Sequence, residues 1–297
     1  MKLPEISIPQ EADTREELIL ELKNQPDLIR ELQLLQVDLK EIDLHPSQIS
    51  RWWENRSLCR NCTGLAQCRQ KQKGYREVLQ YDGVLNTDLF PCAYTLRKEE
   101  TEKHLTQYLV CDLGESLRTV NFAGIDYRRE DQAYLNVLKK VLGNYREDRG
   151  VFLYGPMGTG KTYLAACAAN EAAGSGKKTA FVHCPQFAER IRSTLYTKEY
   201  QTEAERLKYA DFVVFDDIGA EEVSAHILNV LLGILDHRMQ DHKVTWFTSN
   251  ADHNSLLNQY SVTGNGENKL LAMRILERIS VLSEPVYLSG KNRRHAG

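Results

Sequence analysis

The sequence predicts an α/β protein in which a phosphate-binding domain with a parallel sheet follows a small helical and zinc-binding N-terminal domain. From residue 150 onward, short apolar segments alternate with amphipathic helical segments, which is typical of a parallel sheet covered by helices on both faces. The segment GPMGTGKT at 155–162 is a complete phosphate-binding motif. Four of the seven cysteines lie within residues 59–92. We expect an N-terminal domain over 1–110, a linker over 111–130 and the α/β domain over 131–297.

Composition and charge exclude several classes of protein. The chain has 297 residues, of which 42% are hydrophobic and 27% charged, and its formal net charge is -3. These values exclude a disordered chain and an overall basic field that binds nucleic acid, so any such contact must be local. No apolar run reaches the roughly 18 residues that span a bilayer, and the acidic start differs from a signal peptide. We therefore expect a cytoplasmic protein whose cysteines are reduced thiols or metal ligands.

The first segment predicts two short helices. Leucines recur at helical spacing, and Pro26 suits the first turn of a second helix, so the helices should meet near Asn24. Residues 14–17 have the pattern of a capping box. The leucines are Leu18, Leu22, Leu28, Leu32 and Leu35. They indicate either a packed helical pair or a face that binds a partner protein.

Four cysteines predict a structural zinc site. They are Cys59, Cys62, Cys68 and Cys92. Four thiolates suffice for a tetrahedral site, and the C-x2-C spacing of the first two is the most specific part of the pattern. Short segments around them, separated by Gly, Asn and Asp, are expected to pair as small strands. Two alternatives stay open: thiols that share no metal, or a site in which His104 or Cys111 replaces one cysteine.

Strands and helices alternate along the second half of the chain. The predicted strands are 150–155, 179–184, 211–217 and 243–250. The predicted helices are 99–109, 132–142, 161–173, 186–207 and 223–239. Residues 261–269 have the composition of a flexible surface loop.

The segment GPMGTGKT predicts a site for nucleotide phosphates, because it follows an apolar strand and opens a helix, as the motif requires. Its glycines allow consecutive backbone N–H groups to surround phosphate oxygens. We expect Lys161 to reach the β and γ phosphates of ATP, and the Thr162 hydroxyl to bind Mg²⁺. The predicted binding residues are Gly155, Gly158, Thr159, Gly160, Lys161 and Thr162.

Polar residues at the ends of two further strands predict the rest of the site. Asp216 and Asp217 follow the apolar residues 212–215. We expect Asp216 to hold Mg²⁺ through water, and Asp217 to orient or deprotonate the attacking water. An acidic turn at the end of a strand is the alternative. Asn250 ends the strand VTWFTS, at the sheet edge where α/β proteins bind ligands.

GPMGTGKT, VVFDDIG, WFTSN and MRILERI, in this order, resemble the motifs of the AAA+ ATPases of the helicase-loader branch, and the resemblance covers residues 120–297. It implies that Asn250 senses the γ-phosphate. It also implies that Arg278, alone or with Arg274, is an arginine finger for the nucleotide of a neighbouring subunit. The two arginines are four residues apart and therefore share one helix face. The alternative is an exposed pair on an amphipathic helix without a catalytic role.

The end of the chain, SGKNRR, resembles the second-sensor segment of this family. Arg294 stands at the expected position and Arg293 where an aromatic residue is common, so the choice between them stays open. The resemblance also implies a truncated C-terminal helical lid.

Two features suggest contact with single-stranded DNA. Initiator-type members of this clade carry an extra helix that faces single-stranded DNA. In this chain the corresponding region is 186–208, which contains Arg190, Arg192 and Lys198. The alternative is a solvated charged face. Trp52 and Trp53 could stack on bases, or could pack the core of a small domain.

A cysteine module ahead of such an ATPase makes essentially the whole chain resemble loaders of the bacterial replicative helicase. The resemblance implies an ATPase with ATP, Mg²⁺ and Zn²⁺ that acts in primosome assembly. Its N-terminal domain would bind the helicase hexamer; its ATPase domain would contact single-stranded DNA and self-assemble on the helicase. Asp217 stands where other branches often have glutamate, so slow hydrolysis, stimulated by partner or DNA, is expected. The alternatives are a transposition-helper ATPase, a P-loop small-molecule kinase and a nucleotide-gated adaptor without useful turnover.

Overall fold

The computed structural model describes residues 11–194, 197, 199–263, 266–290 and 292–293. The chain divides into two compact units, Met1–Glu100 and Thr101–Gly297. The boundary therefore lies before the predicted one at residue 110, and residues 111–130, predicted as a linker, belong to the second unit. No helix in the described ranges is long and apolar enough to cross a membrane.

Helices enclose a small hydrophobic core in the first unit. They are α1 (Glu11–Lys23), α2 (Pro26–Leu34), α3 (Glu41–Leu44) and α4 (Pro46–Ser57). The predicted helical pair that breaks near Asn24 is confirmed, and Pro26 begins α2. Thr14 lies inside α1, so the predicted capping box at the helix start is wrong. All five leucines of the predicted stripe lie in the core or pack against it, as expected for a packed helical pair.

An antiparallel hairpin follows these helices, which confirms the predicted small strands. It consists of β1 (Tyr75–Tyr81) and β2 (Leu85–Pro91), with Tyr81 opposite Leu85. Gly83 in the turn has φ 97°, a left-handed conformation that favours glycine. Leu79 and Leu85 join the core of the helices. Helix α5 (Ala93–Glu102) comes next along the chain.

A parallel sheet of six strands forms the centre of the second unit. Its strands are β3 (Tyr108–Cys111), β4 (Val151–Tyr154), β5 (Thr179–His183), β6 (Phe212–Asp216), β7 (Val244–Ser249) and β10 (Glu284–Tyr287). Their order is β10-β4-β7-β6-β5-β3, and every neighbouring pair is parallel. The carboxyl ends of β4, β6 and β7 therefore meet at one edge, where open α/β sheets bind ligands. A separate short pair, β8 (Val262–Thr263) and β9 (Gly266–Glu267), lies within the predicted surface loop.

Helices cover both faces of this sheet, as predicted. Helices α6 (Gln132–Arg146) and α7 (Lys161–Gly174) pack with Val151 and Leu153 on one face. Phe152 points to the other face. The helices there are α8 (Cys184–Ser193), α9 (Tyr200–Tyr209), α10 (Ala225–Gln240), α11 (His253–Ser261) and α12 (Lys269–Leu282). The single helix predicted over 186–207 is thus two helices.

The predicted helix over 99–109 is confirmed except at its end, because a 3-10 helix over Lys103–Gln107 follows the α-helix and the last two residues belong to a strand. Helix α5 ends at Glu102, and Tyr108–Cys111 forms β3, which pairs with β5 at the edge of the sheet. The residues YLVC are aromatic, branched or apolar, and such residues suit a half-buried pleated surface better than a helix.

The segment after β3 is attached to α7 by hydrogen bonds. The Asn170 side chain donates to the carbonyl oxygens of Leu117 and Val120 at 2.9 and 2.8 Å. The Phe122 amide donates to the Glu171 carboxylate at 3.1 Å. These bonds explain why the predicted linker is an integral part of the second unit.

A buried arginine joins the start of β7 to the end of α9. Arg238 in α10 is 0% exposed. Its guanidinium donates to the carbonyl oxygens of Leu207, Ala210 and Val244 at 2.7, 2.8 and 2.6 Å and to the Thr245 hydroxyl at 2.9 Å. Burial lowers the pKa of Arg238 to about 9, and these four acceptors offset the cost of burying the guanidinium.

Candidate nucleotide-binding site

The phosphate-loop segment connects the end of β4 to the start of α7, which is the strand, loop and helix context that the motif requires. Gly155, Gly158 and Gly160 have φ values of 147°, 78° and 102°, where L side chains are strained. A side chain at Gly155 would also collide with the Leu288 carbonyl oxygen. Because α7 begins at Lys161, the unpaired N–H groups and positive end of the helix face the loop.

Lys161 is held across the loop. Its side chain is almost buried, and Nζ donates to the carbonyl oxygens of Gly155 and Pro156 at 2.9 and 2.8 Å and to Asn250 Oδ1 at 2.8 Å. Phosphate oxygens would form stronger, charge-assisted bonds with this ammonium than these neutral carbonyls do. The Thr159 hydroxyl donates to the Pro156 carbonyl at 3.0 Å, so Thr159 shapes the loop.

Asn250 connects Lys161 to Asp217. Its Oδ1 accepts from Lys161, and its Nδ2 donates to Asp217 Oδ1 at 2.8 Å, so the two partners determine the orientation of the amide. Asp217 has φ 57°, a left-handed conformation that is uncommon for a residue other than glycine and is often found at functional sites.

Asp216 lies beside Thr162 and Thr248. It is 4% exposed, and its Oδ1 accepts from the Thr248 hydroxyl at 2.7 Å. Burial raises the pKa of Asp216, while hydrogen bonds from Thr248 and Thr162 act in the opposite direction. A carboxylate next to a threonine hydroxyl provides the oxygen donors that Mg²⁺ prefers, and Mg²⁺ beside a nucleotide needs only one or two protein ligands. The residues therefore fit the ion.

Arg293, in the last segment of the chain, contacts the phosphate loop. Its amide donates to the Gly158 carbonyl at 2.8 Å, and its Nε donates to the Thr159 carbonyl at 3.0 Å. Its guanidinium forms a two-point ion pair with Glu130, one bond of 2.5 Å, and lies 4.0 Å from the Tyr134 ring centre. Arg294, predicted as the second sensor, lies outside the described residues.

Arg278 and Arg274 lie away from this site. On α12, Arg278 Nε donates to Asp236 Oδ1 of α10 at 2.6 Å, and Arg274 approaches the other oxygen of Asp236 at 3.8 Å. Neither arginine lines the cleft that contains Lys161. The structure thus keeps both arginines on one helix face, as predicted, and does not bring them to the chain's own phosphate loop.

The cleft has a volume of about 870 Å³. It is lined by four of the six predicted loop residues, Gly158, Gly160, Lys161 and Thr162, together with both aspartates and Asn250. Sequence reasoning missed Thr248, whose hydroxyl also accepts from the Asp217 amide at 2.9 Å. Alternation along β7 places Thr248 on the same side as Asn250, and this signal could have identified it. No local signal identifies Asp112, which lines the cleft from the end of β3.

The arginines predicted to face single-stranded DNA are paired with carboxylates. Arg190 binds Glu203 at 2.6 Å and Asp112 at 2.8 Å. Arg192 binds Glu189 and Glu222, each at 2.7 Å. Lys198 lies outside the described residues. This region therefore presents little unbalanced positive charge.

The four cysteines of the first unit do not share a metal-binding arrangement. Each thiol has a different partner: Gln70 Nε2 at 3.2 Å from Cys59, the Gly64 carbonyl at 3.5 Å from Cys62, the Gly74 amide at 3.4 Å from Cys68 and the Thr95 hydroxyl at 3.6 Å from Cys92. Within the described part of the chain, no group of three or more His, Cys, Asp or Glu residues is placed to hold a metal ion. The structure therefore does not support the predicted zinc site.

The suggested replacement ligands belong to the second unit. Both ring nitrogens of His104 bond carbonyl oxygens, those of Thr101 and Arg118, at 3.1 and 2.8 Å. Cys111 ends β3. In the first unit, Trp52 is 1% exposed and belongs to the core, whereas Trp53 is half-buried at its edge.

Comparisons with known proteins find similar sequences and similar solved structures. The model of the IstB-like ATP-binding protein family matches residues 95–296. The chain is 26% identical over 268 residues to the replicative helicase loader DnaI of Bacillus subtilis (strain 168), and the match covers 87% of this chain and 86% of that protein. The resemblance to helicase loaders, stated above from the motifs, is confirmed.

Two solved structures are similar at comparable identity. A crystal structure of DnaI has a TM-score of 0.55 and 26% identity, and the similarity covers 65% of this chain and 100% of that chain. A candidate primosome component from Streptococcus pyogenes serotype M3 has a TM-score of 0.52 and 27% identity, over 64% of this chain and 97% of that chain.

Proposed function

Because the chain belongs to the family of IstB-like ATP-binding proteins, we propose that it is an ATP-dependent loader that binds a replicative DNA helicase and delivers it onto single-stranded DNA during primosome assembly. The observation that carries this proposal is the extent of the similarity to a helicase loader, 87% of the chain. The second unit alone, Thr101–Gly297, is too short to account for it. A transposition-helper ATPase would be expected to resemble this chain only in the second unit. It is the weaker candidate because the similarity to the helicase loader also extends into the first unit.

The second unit binds ATP through the phosphate loop. Lys161 exchanges its carbonyl partners for the β and γ phosphates, and the amides at the start of α7 surround them. Thr162 and Asp216 hold Mg²⁺, which, when bound, neutralises charge on the phosphates. The proximity of Thr162 and Asp216 supports this assignment.

Asp217 orients the attacking water and accepts its proton. Asn250 links Asp217 to the lysine that contacts the γ-phosphate, so loss of that phosphate alters the position of the aspartate. Because an aspartate is one methylene shorter than a glutamate, we expect slow hydrolysis that the helicase or single-stranded DNA stimulates. Slow turnover suits a nucleotide-dependent switch.

Arg278 acts as an arginine finger on the nucleotide of a neighbouring copy when the ATPase units assemble on the helicase. Its distance from the chain's own cleft supports a role between subunits, and the ion pair with Asp236 holds the side chain in one orientation. Arg274, half-exposed on the same face, is the second candidate.

The first unit binds the helicase. Several large apolar side chains of its helices are exposed, which supports a protein contact. They are Leu20, Leu34 and Leu44, at 64%, 71% and 60% exposure.

Zinc binding by Cys59, Cys62, Cys68 and Cys92 is a separate proposal that rests on their spacing. Hydrogen bonds to Gly74 connect two of the four: the Gly74 amide donates to the Cys68 thiol, and the Gly74 carbonyl accepts from the Cys92 amide at 2.8 Å. Metal analysis of the purified full chain should find one zinc per chain, and Cys59→Ser should remove it while ATP binding persists. A metal-free, well-folded protein would refute this proposal.

The loader proposal is tested by mixing the full chain with the replicative helicase of the same organism. We expect the two to co-migrate in size-exclusion chromatography, and ATP hydrolysis to rise with helicase and single-stranded DNA. Lys161→Ala should keep the helicase complex and lose ATP binding, whereas Lys139→Ala, an exposed lysine on α6, should change neither. Turnover that rises only with a small phosphate acceptor would indicate a kinase, and a complex without any turnover would indicate an adaptor.

A further inference from the structure

The first unit contains a concentrated basic segment. Residues 51–76 include seven lysines and arginines and one acidic residue, Glu54, although the whole chain has a net charge of -3. The cations are Arg51, Arg56, Arg60, Arg69, Lys71, Lys73 and Arg76. A local excess of this size creates a positive field that the net charge of the chain conceals.

Part of this segment lines a cavity of about 550 Å³, which we call the arginine pocket, formed by α2, α4 and β1. Trp53 and Arg56 are three residues apart and share a face of α4. Arg60 follows just after the helix end, Arg30 comes from α2 and Arg76 comes from β1. Residues from three elements thus converge on one cavity.

The positive charge of the arginine pocket is only partly neutralised. Arg56 pairs with Glu31 at 2.6 Å, and Arg60 lies 3.8 Å from Asp27 in an exposed, weak pair. Arg30 and Arg76 are exposed and have no hydrogen bond or ion pair with any residue that the structure describes. Four guanidinium groups therefore face two carboxylates, and two of the four are available to an anionic ligand.

An aromatic ring lies among these guanidinium groups. Trp53 is half-buried, and Arg60 lies over its ring at 5.0 Å from the centre. Trp52 already fills the core, so Trp53 is the tryptophan that the pocket presents. Leu34, 71% exposed, lines the same pocket. Bases of any identity stack on such a surface, while arginines bind the phosphates between them.

We propose that the arginine pocket binds single-stranded nucleic acid, with phosphates on Arg30 and Arg76 and a base against Trp53. The combination of unpaired guanidinium groups with a stacking ring favours this ligand over an acidic protein segment, which would use the charge and not the ring. The paired arginines of α8 offer less free charge. The proposal goes beyond the loader function and is independent of it, because it gives the first unit a DNA contact of its own that needs no helicase.

The test measures binding of the full chain to fluorescent oligothymidylate by anisotropy, over a range of salt concentrations and without helicase. We expect Arg30→Ala/Arg76→Ala to weaken binding roughly tenfold and to reduce the slope of log affinity against log salt by about 1.4, since each lost contact with a single strand removes about 0.7. Trp53→Ala should weaken binding by about tenfold, within the range measured for stacked bases, and Trp53→Phe should retain most of the affinity.

The matched control is Lys40→Ala/Arg51→Ala, which removes the same charge from exposed positions of the first unit outside the pocket. It should change affinity less than twofold. Equal losses in the two double variants, or wild-type affinity in the pocket variant, would overturn the proposal. A pocket variant that binds DNA normally but no longer co-migrates with the helicase would reassign the pocket to an acidic protein. Melting curves of each variant identify any that fail to fold. Because Arg30 and Arg76 are exposed, Arg30→Ala/Arg76→Ala provides the decisive comparison if Trp53→Ala fails to fold.

Discussion

Thr248 joins the two aspartates of the candidate site at the carboxyl end of β7. Its hydroxyl donates to the Asp216 carboxylate and accepts from the Asp217 amide. Through Asp217 the connection continues to Asn250 and Lys161. One buried hydroxyl therefore sets the position of the carboxylate expected to hold Mg²⁺ and of the residue expected to act on water.

Replacing Thr248 with valine, which has nearly the same shape and no hydroxyl, should reduce ATP hydrolysis by at least tenfold, because loss of a residue that orients metal ligands typically costs 10–100-fold. The free energy of unfolding should fall by about 1–3 kcal/mol, since the Asp217 amide loses its partner. Turnover of the helicase complex and denaturant unfolding measure the two effects.

Thr245→Val is the matched control, because Thr245 is buried on the same strand and its hydroxyl bonds Arg238 and the Lys243 carbonyl. This variant should lose stability and keep its turnover per folded molecule. If the two variants lose turnover equally, Thr248 has no specific role in positioning the aspartates.

Arg238 connects three elements of the second unit. It extends from α10 to carbonyl oxygens at the end of α9 and the start of β7. Because the guanidinium is fully buried, its removal leaves several carbonyl groups without water or partner.

Arg238→Met should lower the free energy of unfolding of the second unit by about 3 kcal/mol, in line with the cost of several unsatisfied buried groups. Arg149→Met, at an exposed pair with Glu147, should lower it by less than about 0.5 kcal/mol. Denaturant titration followed through bound fluorescent nucleotide measures both. Equal stability of the two variants would contradict the structural role of Arg238.

Elements were predictable from sequence where their signal is local. The segment GPMGTGKT and the strand before Asp216 carry their pattern in consecutive residues, and the structure confirms the predicted strand and helix on either side of that segment and the predicted strand at 212–216. Strand β3 was missed because its four residues follow a helical segment and become a strand only by pairing with β5. Residues 111–130 were predicted to be a linker because their local sequence shows no sign of the residues that bind them. Those residues, Asn170 and Glu171, lie some 50 positions further along the chain. The zinc site was likewise predicted from the spacing of the cysteines alone. In the structure, the thiols of Cys59, Cys68 and Cys92 are positioned by hydrogen bonds with Gln70, Gly74 and Thr95, and the spacing does not reveal these partners.

At the scale of the whole molecule, the chain separates into a unit that resembles an ATPase and a smaller helical unit. In the proposed function the ATPase units act on one another, since Arg278 does not contact the cleft of its own chain.

Arg278→Ala should leave ATP binding by the isolated chain intact and reduce hydrolysis in the helicase complex by about 10³-fold, because an arginine finger stabilises charge that develops on a neighbour's phosphate. Asp236→Asn breaks the same ion pair within the chain and keeps Arg278, so it should have a much smaller effect. Equal loss in the two variants, or equal loss in the isolated chain and the complex, would mean that Arg278 only supports the fold.

The central claim, that the protein uses ATP to place a helicase on DNA, is tested most directly on closed circular single-stranded DNA. The measurement is displacement of a short annealed reporter strand by the helicase. With ATP, the full chain should raise the rate of displacement several-fold over helicase alone, and Lys161→Ala, although bound to the helicase, should not. Displacement at the same rate with and without the chain, or equal stimulation by Lys161→Ala, would contradict the claim.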